Sequence, residues 1–146
     1  MNDALKRIRV LAEYQFGKGV GAKLFPENVE IVYSKATGRI RYVNLNGTRL
    51  VTLRPTNGLF TLSIKAAQRI VEKAGFAQCF VRVQTDVAQF VSNGSDVFAA
   101  HVTEADDAIH AKDEVIVING NSNVLAVGRA TMSSSEIKAF KAGVAS

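Results

Sequence analysis

The sequence predicts an α+β protein made of two small domains, residues 1–77 and residues 78–146. In the first half, two segments with hydrophobic residues at helical spacing flank short alternating segments separated by turns. The second half is mostly short apolar, β-branched segments. Charge divides the chain at the same place. Lys and Arg outnumber Asp and Glu by 13 to 5 over residues 1–78 (net +8), and are outnumbered by 8 to 5 over residues 79–146 (net −3).

Two amphipathic helices are predicted in the first domain. The first covers residues 3–16 and ends at the glycine-rich segment 17–21. The second begins after Ser63, a predicted N-cap, and ends at Gly75, a predicted C-cap. Such a pair can bury one face of a small sheet. The residues at helical spacing are Leu5, Ile8, Leu11, Ala12 and Phe16 in the first helix and Ile64, Ala67, Ile70, Val71 and Ala74 in the second.

An antiparallel meander of three or four strands is predicted between these helices. Its segments are rich in β-branched and aromatic residues, and Asn-Gly pairs between them are typical hairpin turns. The predicted strands are residues 29–34, 39–45, 48–55 and 59–63.

The second domain is predicted to be a small β-barrel with one or two short helices. A short helix at 86–94 ends at Gly94, and an apolar strand follows it up to Val102. A last helix begins at the capping box of Ser133 and Glu136, with Gly143 past its end. The other predicted strands are residues 79–83, 113–118 and 124–131, of which the last two form a hairpin.

Composition excludes several classes of protein. An apolar fraction of 47% excludes a disordered chain. No apolar stretch approaches the ~20 residues that span a bilayer, so no membrane association is expected. The N-terminal basic residues are interleaved with apolar ones, unlike a signal peptide. The single cysteine, Cys79, rules out an internal disulfide and indicates a reducing, cytoplasmic setting.

Residues that could carry catalysis are too few and too scattered. His101 and His110 stand apart from Cys79, whereas a zinc site needs about three or four ligands, some at short paired spacing. Cys79 lies in a predicted strand, where a buried structural thiol is the expected role. The acidic residues Glu104, Asp106 and Asp107 fit a solvated turn. The sequence therefore predicts a non-catalytic protein with no metal and no cofactor.

A glycine-rich segment, GKGVGAK at residues 17–23, superficially resembles a phosphate-binding loop. Its lysine, Lys23, is followed by Leu24 rather than by Ser or Thr. It also follows a predicted helix, whereas a phosphate loop follows a strand. We expect no nucleotide site there.

Basic residues cluster on the predicted sheet of the first domain. Arg39 and Arg41 are two residues apart on a strand, so they are expected to project from one face, with Lys35 in the preceding turn. Arg49 and Arg54 have an odd separation, so they are expected on opposite faces. Such a sheet can offer guanidinium groups to phosphates. A solvated basic surface without a partner is the alternative.

Two tyrosines lie beside these cations, and two placements are open for them. Tyr33 and Tyr42 either stack on a nucleic-acid base or lie on the core side of the sheet, where aromatic residues of a meander usually lie.

The second half resembles a PUA domain, the small RNA-binding pseudobarrel of pseudouridine synthases and archaeosine transglycosylases. Its hallmarks are a glycine that closes the first helix, an apolar strand, and two motif-bearing strands. In this sequence they are Gly94, Val97-Phe98, Lys112-Asp113-Glu114-Val115 and Leu125-Ala126-Val127-Gly128-Arg129-Ala130.

The first half resembles the domain that precedes the PUA domain in archaeal tRNA-guanine transglycosylases of the archaeosine type. The matching stretches are YQFGKGVGAKLFP, TGRIRYV and LVTLRPTNGLFTLS. The large catalytic barrel of those enzymes, with its aspartates and zinc cysteines, has no counterpart in this sequence. The resemblance implies an archaeal RNA-binding part of such an enzyme and a pseudobarrel fold for residues 78–146.

The resemblance also implies a binding surface on the second domain. Many PUA domains have Pro-Gly after the apolar strand. This sequence has Ala100-His101 there instead, and the archaeosine branch similarly lacks Pro-Gly. His101 is therefore expected to end a strand or line the RNA groove. The implied surface comprises Gly94, Ser95 and His101, with Arg82, Lys112 and Arg129 at its rim.

We expect a cytoplasmic, non-catalytic RNA-binding protein that binds tRNA in connection with tRNA modification. Because the second half is net −3, the first domain is expected to supply most of the attraction to phosphates. One alternative is an adaptor for a separately encoded tRNA-modifying enzyme, and finding an exposed apolar patch on the first domain would favour it. Another is a ribosome-associated translation or biogenesis factor.

Overall fold

The computed structural model describes residues 3–74, 79–84, 86 and 101–145. It divides into two compact units, residues 1–77 and 78–146. The first unit is an antiparallel sheet with helices and the second is mostly strand, which confirms the predicted α+β class.

Three helices belong to the first unit: α1 (Asp3–Phe16), α2 (Val20–Leu24) and α3 (Ile64–Ala74). The helical periodicity predicted α1 and α3, whereas α2, a single turn, was not predicted. The N-cap is confirmed, because the Ser63 Oγ accepts a hydrogen bond from the Ala66 N–H at 3.1 Å. The predicted C-cap, Gly75, lies outside the described residues.

The first sheet has four antiparallel strands in sequential order, as the meander prediction requires. The Asn46-Gly47 turn joins two of them, with φ values of 51° and 80°. Positive φ at both positions is the geometry that the right-handed twist of a hairpin favours. The strands are β1 (Glu30–Tyr33), β2 (Ile40–Leu45), β3 (Thr48–Leu53) and β4 (Phe60–Leu62).

The helices and one face of this sheet enclose the core of the first unit. Gln15 of α1 ties the helix to the edge strand β4: its amide accepts from the Phe60 N–H and donates to the Phe60 carbonyl, both at 2.8 Å. These bonds satisfy backbone groups at a sheet edge that would otherwise be open. Ile64, predicted on the apolar face of α3, is 48% exposed. The largest buried side chains are Phe16, Val20, Leu24, Phe25, Val43, Leu50, Val51, Phe60 and Ile70.

The second unit contains a four-stranded mixed sheet in the order β6-β5-β7-β8. Strands β5 and β7 are parallel and the other two pairings are antiparallel, including the predicted β7–β8 hairpin. Every residue of β7 is buried, which makes it the centre of this sheet. The strands are β5 (Phe80–Val83), β6 (Val102–Ala105), β7 (Glu114–Ile118) and β8 (Val124–Arg129).

A last helix, α4 (Ser134–Ala145), follows the sheet. Its capping box is confirmed: the Ser133 N–H donates to Glu136 Oε1 at 3.1 Å, and the Glu136 N–H donates to Ser133 Oγ at 3.2 Å. The prediction that the helix ends before Gly143 was wrong. An interior glycine weakens a helix by only about 1 kcal/mol and need not end it.

Two further predictions fall on residues that are largely not described. The short helix at 86–94 lies outside the described residues except for Asp86, and so does the strand segment 97–100. The strand that the structure describes in this region, β6, begins at Val102, where the predicted strand was expected to end.

Candidate nucleic-acid interface

The basic residues of the first unit fall into two groups. Three arginines hold their own chain together. The Nε of Arg9 donates to the Phe25 carbonyl at 2.9 Å, and the Nε of Arg69 donates to the Leu24 carbonyl at 3.3 Å. The Nε of Arg54 donates to the Thr61 hydroxyl at 2.9 Å. The exposed group, available to a polyanion, is Lys6, Arg7, Lys18, Lys23, Lys35, Arg39, Arg41, Arg49, Lys65 and Lys73.

One face of the first sheet points away from its buried residues, and we call it the outer face. Val43 and Val51 are paired and buried, so their neighbours along each strand belong to the opposite face. Register therefore joins the outer-face residues across three strands. The pairs are Tyr42 with Thr52, Thr52 with Thr61, and Asn44 with Arg49.

A β-bulge at Leu50 places Arg49 on this outer face. The register passes from Val43–Val51 directly to Asn44–Arg49, so Leu50 has no partner on β2. Leu50 and Val51 are both buried, although they are adjacent in sequence. Arg54 donates to the hydroxyl of Thr61, an outer-face residue, so the prediction that Arg49 and Arg54 point to opposite faces was wrong. That prediction assumed that side chains alternate between the two faces along the whole strand. The extra residue at the bulge moves the side chains that precede it to the opposite face.

Two arginines lie beside the ring of Tyr42 on the outer face. The Arg49 Cζ lies over the ring at 3.9 Å from its centroid, and the Arg41 Cζ is 6.0 Å from it. Both distances are within the range of cation–π attraction. Tyr42 is half-buried and Tyr33 is 46% exposed. Tyr42 lies on the outer face, so the core-side placement considered for it was wrong. Tyr33 follows Val32, the partner of Tyr42, so the register puts Tyr33 on the core side of the sheet although the residue is exposed.

The remaining predicted cations of this unit lie at or next to the β1–β2 turn. Lys35 and Arg39 are exposed, and the turn is closed by hydrogen bonds from Ser34 N–H to the Arg39 carbonyl and from Gly38 N–H to the Ser34 carbonyl, both 2.8 Å. A second bulge leaves Arg41 without a partner on β1. Simple alternation therefore no longer relates Arg41 to Arg39, although both are exposed.

The glycine-rich segment packs one helix against another. A Cβ added to Gly21 of α2 would lie 2.4 Å from the Arg9 carbonyl oxygen of α1. The Gly21 N–H donates to the Glu13 carboxylate at 3.0 Å. Gly19 has a φ of 88° at the start of α2, which suits glycine. These backbone requirements account for the glycines without a phosphate ligand.

Arg82, in the second unit, is turned inward. Its Nη1 donates to the Asn119 and Gly120 carbonyls at 2.9 and 3.1 Å and to the Ser122 hydroxyl at 3.2 Å. Its Nε pairs with the Glu104 carboxylate at 3.1 Å. The side chain is 18% exposed. Arg82 therefore holds the β7–β8 turn, and these four acceptors occupy donors that an RNA phosphate would need.

Lys112 and Arg129 lie at one end of the β7–β8 hairpin. The Lys112 N–H donates to the Ala130 carbonyl at 2.6 Å, and both Lys112 and Arg129 are exposed. His101 is half-buried directly before β6, and its carbonyl accepts from the Gln84 N–H at 2.9 Å. The strand that His101 was expected to end, over residues 97–100, lies outside the described residues, so its expected place stays a prediction. Gly94 and Ser95 lie outside the described residues.

The titratable groups of the second unit form no reactive constellation among the residues described. Burial raises the pKa of Cys79 to about 12, so the thiol stays protonated. The Asp107 carboxylate pairs with Lys138, while burial raises the pKa of Asp106 above its ordinary value. Within the described part of the chain, no three His, Cys, Asp or Glu residues are grouped so that they could hold a metal ion.

Comparison with known families assigns each unit. Residues 6–76 match the model of the patch-forming domain C2 of tRNA-guanine transglycosylase, and residues 80–146 match the model of the PUA domain. The chain is a C2 domain followed by a PUA domain.

Curated relatives of this C2–PUA chain are tRNA-guanine(15) transglycosylases of archaea. The enzyme of Methanobrevibacter smithii is 38% identical over 143 residues, which are 98% of this chain and 22% of the enzyme. The enzyme of Pyrococcus furiosus is 40% identical over 141 residues, 97% of this chain and 24% of the enzyme. The chain thus spans about a quarter of the length of these relatives and matches their C-terminal region.

Solved structures support the fold. A hypothetical protein of Pyrococcus horikoshii OT3 gives a TM-score of 0.71 at 22% identity, covering 94% of this chain and 83% of that one. A conserved PUA domain protein of Thermoplasma acidophilum gives 0.66 at 22% identity, covering 95% and 82%. These likenesses agree with a PUA-type fold for the second unit.

Sequence reasoning missed a surface patch on α1 of the C2 domain. Val10 is 61% exposed and Tyr14 is 78% exposed. They are four residues apart, so they lie on one face of the helix, away from the buried stripe. Their spacing could have shown this. A shallow groove there, the α1 groove, is lined by Lys6, Arg7, Val10, Leu11 and Tyr14.

Among the helices that the structure describes, none combines the length and the hydropathy that a bilayer-spanning segment needs.

Proposed function

We propose that this C2–PUA chain is a non-catalytic protein that binds tRNA in connection with tRNA modification in the cytoplasm. Both of its domains are found in the C-terminal region of curated tRNA-guanine(15) transglycosylases, and a PUA domain supports RNA binding. The resemblance covers 98% of this chain but under a quarter of the enzyme. The part that the chain shares with those enzymes is thus proposed to hold the RNA rather than to react with it.

The outer face of the C2 sheet is the observation that carries the proposal. Arg41 and Arg49 are exposed there on either strand of a hairpin, around the ring of Tyr42. Lys35 and Arg39 add two exposed cations at the neighbouring turn. Cations spaced over a sheet suit the repeated negative charges of a phosphate backbone, which dominates affinity in RNA binding.

The PUA domain is proposed to contribute shape recognition of a stem end or 3′ terminus rather than most of the charge. Its half of the chain is net −3, so it repels phosphates overall. Lys112 and Arg129 at the end of the β7–β8 hairpin are the proposed phosphate contacts, and we propose His101, Gly94 and Ser95 as further RNA contacts. Arg82 is assigned to holding the β7–β8 turn, since its guanidinium is engaged by the protein itself.

Binding of an unmodified tRNA transcript tests the proposal. The Arg39→Ala/Arg41→Ala double variant should bind about tenfold more weakly at moderate salt, because two phosphate contacts are lost. Fluorescence anisotropy against salt concentration measures both affinity and slope. A protein that binds no tRNA at low salt would overturn the proposal.

Lys65→Ala/Lys73→Ala is the matched control for that experiment. It removes the same charge from the same domain, but from exposed positions of α3. Equal losses in the two double variants would mean that net charge alone attracts tRNA, with no site on the outer face. If Arg39→Ala/Arg41→Ala has no effect while Arg129→Ala abolishes binding, the division of labour between the domains is wrong.

An adaptor role is the second candidate, and the α1 groove favours it. Val10 and Tyr14 expose apolar surface that no described residue of the C2 domain covers, and Lys6 and Arg7 border it. Aliphatic and aromatic side chains with a cationic border suit a protein surface of apolar and acidic residues. The proposed partner in this role is the catalytic part of a tRNA-guanine transglycosylase.

Titration calorimetry distinguishes the adaptor role from RNA binding. The Methanobrevibacter smithii enzyme is truncated before the region that this chain matches. It is then titrated with the C2–PUA chain, which has been treated with nuclease to remove RNA. Heat of binding that Val10→Asp/Tyr14→Ala abolishes supports the adaptor, while unaltered or absent binding excludes this groove as the docking site. Association with the ribosome remains a prediction, checked by cosedimentation.

A further inference from the structure

The pairing of Arg49 with Tyr42 is more specific than a phosphate contact requires. A cation that only neutralises a phosphate needs no aromatic support, and a flexible lysine serves as well. Here the guanidinium lies over the ring with its Cζ 3.9 Å from the ring centroid. The ring limits the rotamers of a side chain that would otherwise lose more rotamer entropy on binding.

The local fold is arranged to bring this pair about. Without the bulge at Leu50, Arg49 would point to the buried face. With it, Arg49 stands opposite Asn44, next to Tyr42 on the same outer face. The bulge also buries Leu50 beside Val51, so the core gains a side chain as the outer face gains a cation.

The Tyr42 ring face that Arg49 covers is closed to a base, but Arg49 itself is an exposed residue. A planar guanidinium stacks on bases much as an aromatic ring does and keeps its N–H edges for phosphates. Arg41, 6.0 Å from the same ring, supplies a second cation beside it. The arrangement therefore offers a stacking surface with charge at its border.

We propose that the Arg49–Tyr42 pair is a stacking platform for an unpaired RNA base, with Arg41 binding a flanking phosphate. The inference rests on the proposed RNA-binding function and names its substrate class: single-stranded ends, loops or splayed nucleotides. Bases inside an RNA duplex are stacked on one another and have no free face, so a duplex could use this surface only through its phosphates.

Two probes with the same number of phosphates test the platform. One is a single-stranded RNA carrying 2-aminopurine at its centre, and the other is a blunt RNA duplex. Arg49→Lys keeps the charge and removes the plane. It should weaken binding of the single strand between about fivefold and a hundredfold, as loss of one stacked base does, and leave duplex binding within about twofold. Arg49→Ala should weaken both.

The ring has its own pair of variants. Tyr42→Phe keeps the aromatic face and should bind the single strand like the wild type, whereas Tyr42→Leu should behave like Arg49→Lys. Quenching of 2-aminopurine fluorescence on binding reports the stack directly, and Arg49→Lys should abolish it. Matching melting temperatures for Arg49→Lys and the wild type ensure that the comparison is made on folded protein.

The outcomes separate this inference from the proposed function. Equal single-strand affinity and equal quenching in wild type and Arg49→Lys would overturn the platform while leaving RNA binding intact. A folded wild type that binds neither probe nor tRNA would overturn the proposed function, and the platform with it.

Discussion

Arg49 of the C2 domain and Arg82 of the PUA domain are both strand arginines that the sequence predicts as RNA contacts, yet the structure uses them in opposite ways. Arg49 is exposed and rests on the ring of Tyr42. Arg82 is mostly buried, and four acceptors of its own domain take its hydrogen bonds. An arginine is open to a ligand only if the fold leaves its donors unused.

The charge balance of each domain follows the same division. In the PUA domain, Arg82 pairs with the Glu104 carboxylate and Lys138 pairs with the Asp107 carboxylate. In the C2 domain, cations outnumber carboxylates, so most have no carboxylate to pair with. A local excess of positive charge thus indicates which arginines remain available to an RNA ligand. By this criterion, Arg49 is a stronger candidate for an RNA contact than Arg82.

The largest expected effect is the loss of stability when Arg82 is replaced. If that loss is absent, the contrast between Arg82 and Arg49 does not hold. Arg82→Ala leaves two backbone carbonyls, a hydroxyl and Glu104 without their donor, so the PUA domain should lose about 2–3 kcal/mol of unfolding free energy. Arg49→Ala should cost less than about 1 kcal/mol, because an exposed cation–π contact is weak.

Amide hydrogen exchange measures this effect within one domain. The amide of Ile116 in the buried strand β7 should exchange faster in Arg82→Ala and at the wild-type rate in Arg49→Ala. Arg82→Lys is the control that retains the charge, and it should be intermediate because an ammonium cannot span the same acceptors. Equal protection in all variants would contradict the clamp role of Arg82.

Salt dependence of tRNA binding gives the next effect. About four to six neutralised phosphates predict a log–log slope of roughly −3 to −5. Arg41→Ala/Arg49→Ala should flatten the slope by about 2, because each lost phosphate contact removes about 0.9. Arg82→Ala, measured at a temperature where it is folded, should leave the slope unchanged. A flattened slope in Arg82→Ala would show that this arginine reaches RNA.

The smallest expected effect is the pH dependence of two neighbouring carboxyls in the PUA domain. Burial raises the folded-state pKa of Asp106 above its ordinary value of 3.8, so its ionised form opposes folding. That penalty should disappear as the pH falls through the raised pKa towards 3.8. The hydrogen bond from Lys138 lowers the pKa of Asp107 below 3.8, so its stabilisation is present above 3.8 and is lost below it.

Thermal melts between pH 7 and pH 3 separate these opposing contributions. As the pH falls from 7 towards 3.8, the wild type gains stability because Asp106 becomes protonated, and the Asp106→Asn variant should lack that gain. As the pH falls below 3.8, the wild type loses the stabilisation that ionised Asp107 provides, and the Asp107→Asn variant should lack that loss. Because both are compared with the wild type at each pH, the titration of other groups cancels. A wild-type-minus-variant difference that does not change with pH would contradict the assigned pKa directions.

Much of the fold could be predicted because it depends on local signals. The 3.6-residue period marks α1 and α3, and alternation with Asn-Gly turns marks the meander. Ser63 and the Ser133–Glu136 capping box are visible within four residues of sequence, and the structure forms both. The exposure of Lys35 agrees with its predicted place in a short polar turn.

The candidate site depended on contacts between distant residues, which no local signal contains. Arg82 reaches acceptors 37 to 40 residues away, and only the packing of strands β5 and β7 brings them together. The side of the sheet on which Arg49 lies depends on a bulge at Leu50, because side chains alternate only while every residue keeps its cross-strand partner. Residue types and local periods thus determined the helices, strands and overall charge of this protein, and the tertiary structure decided which arginines face a ligand.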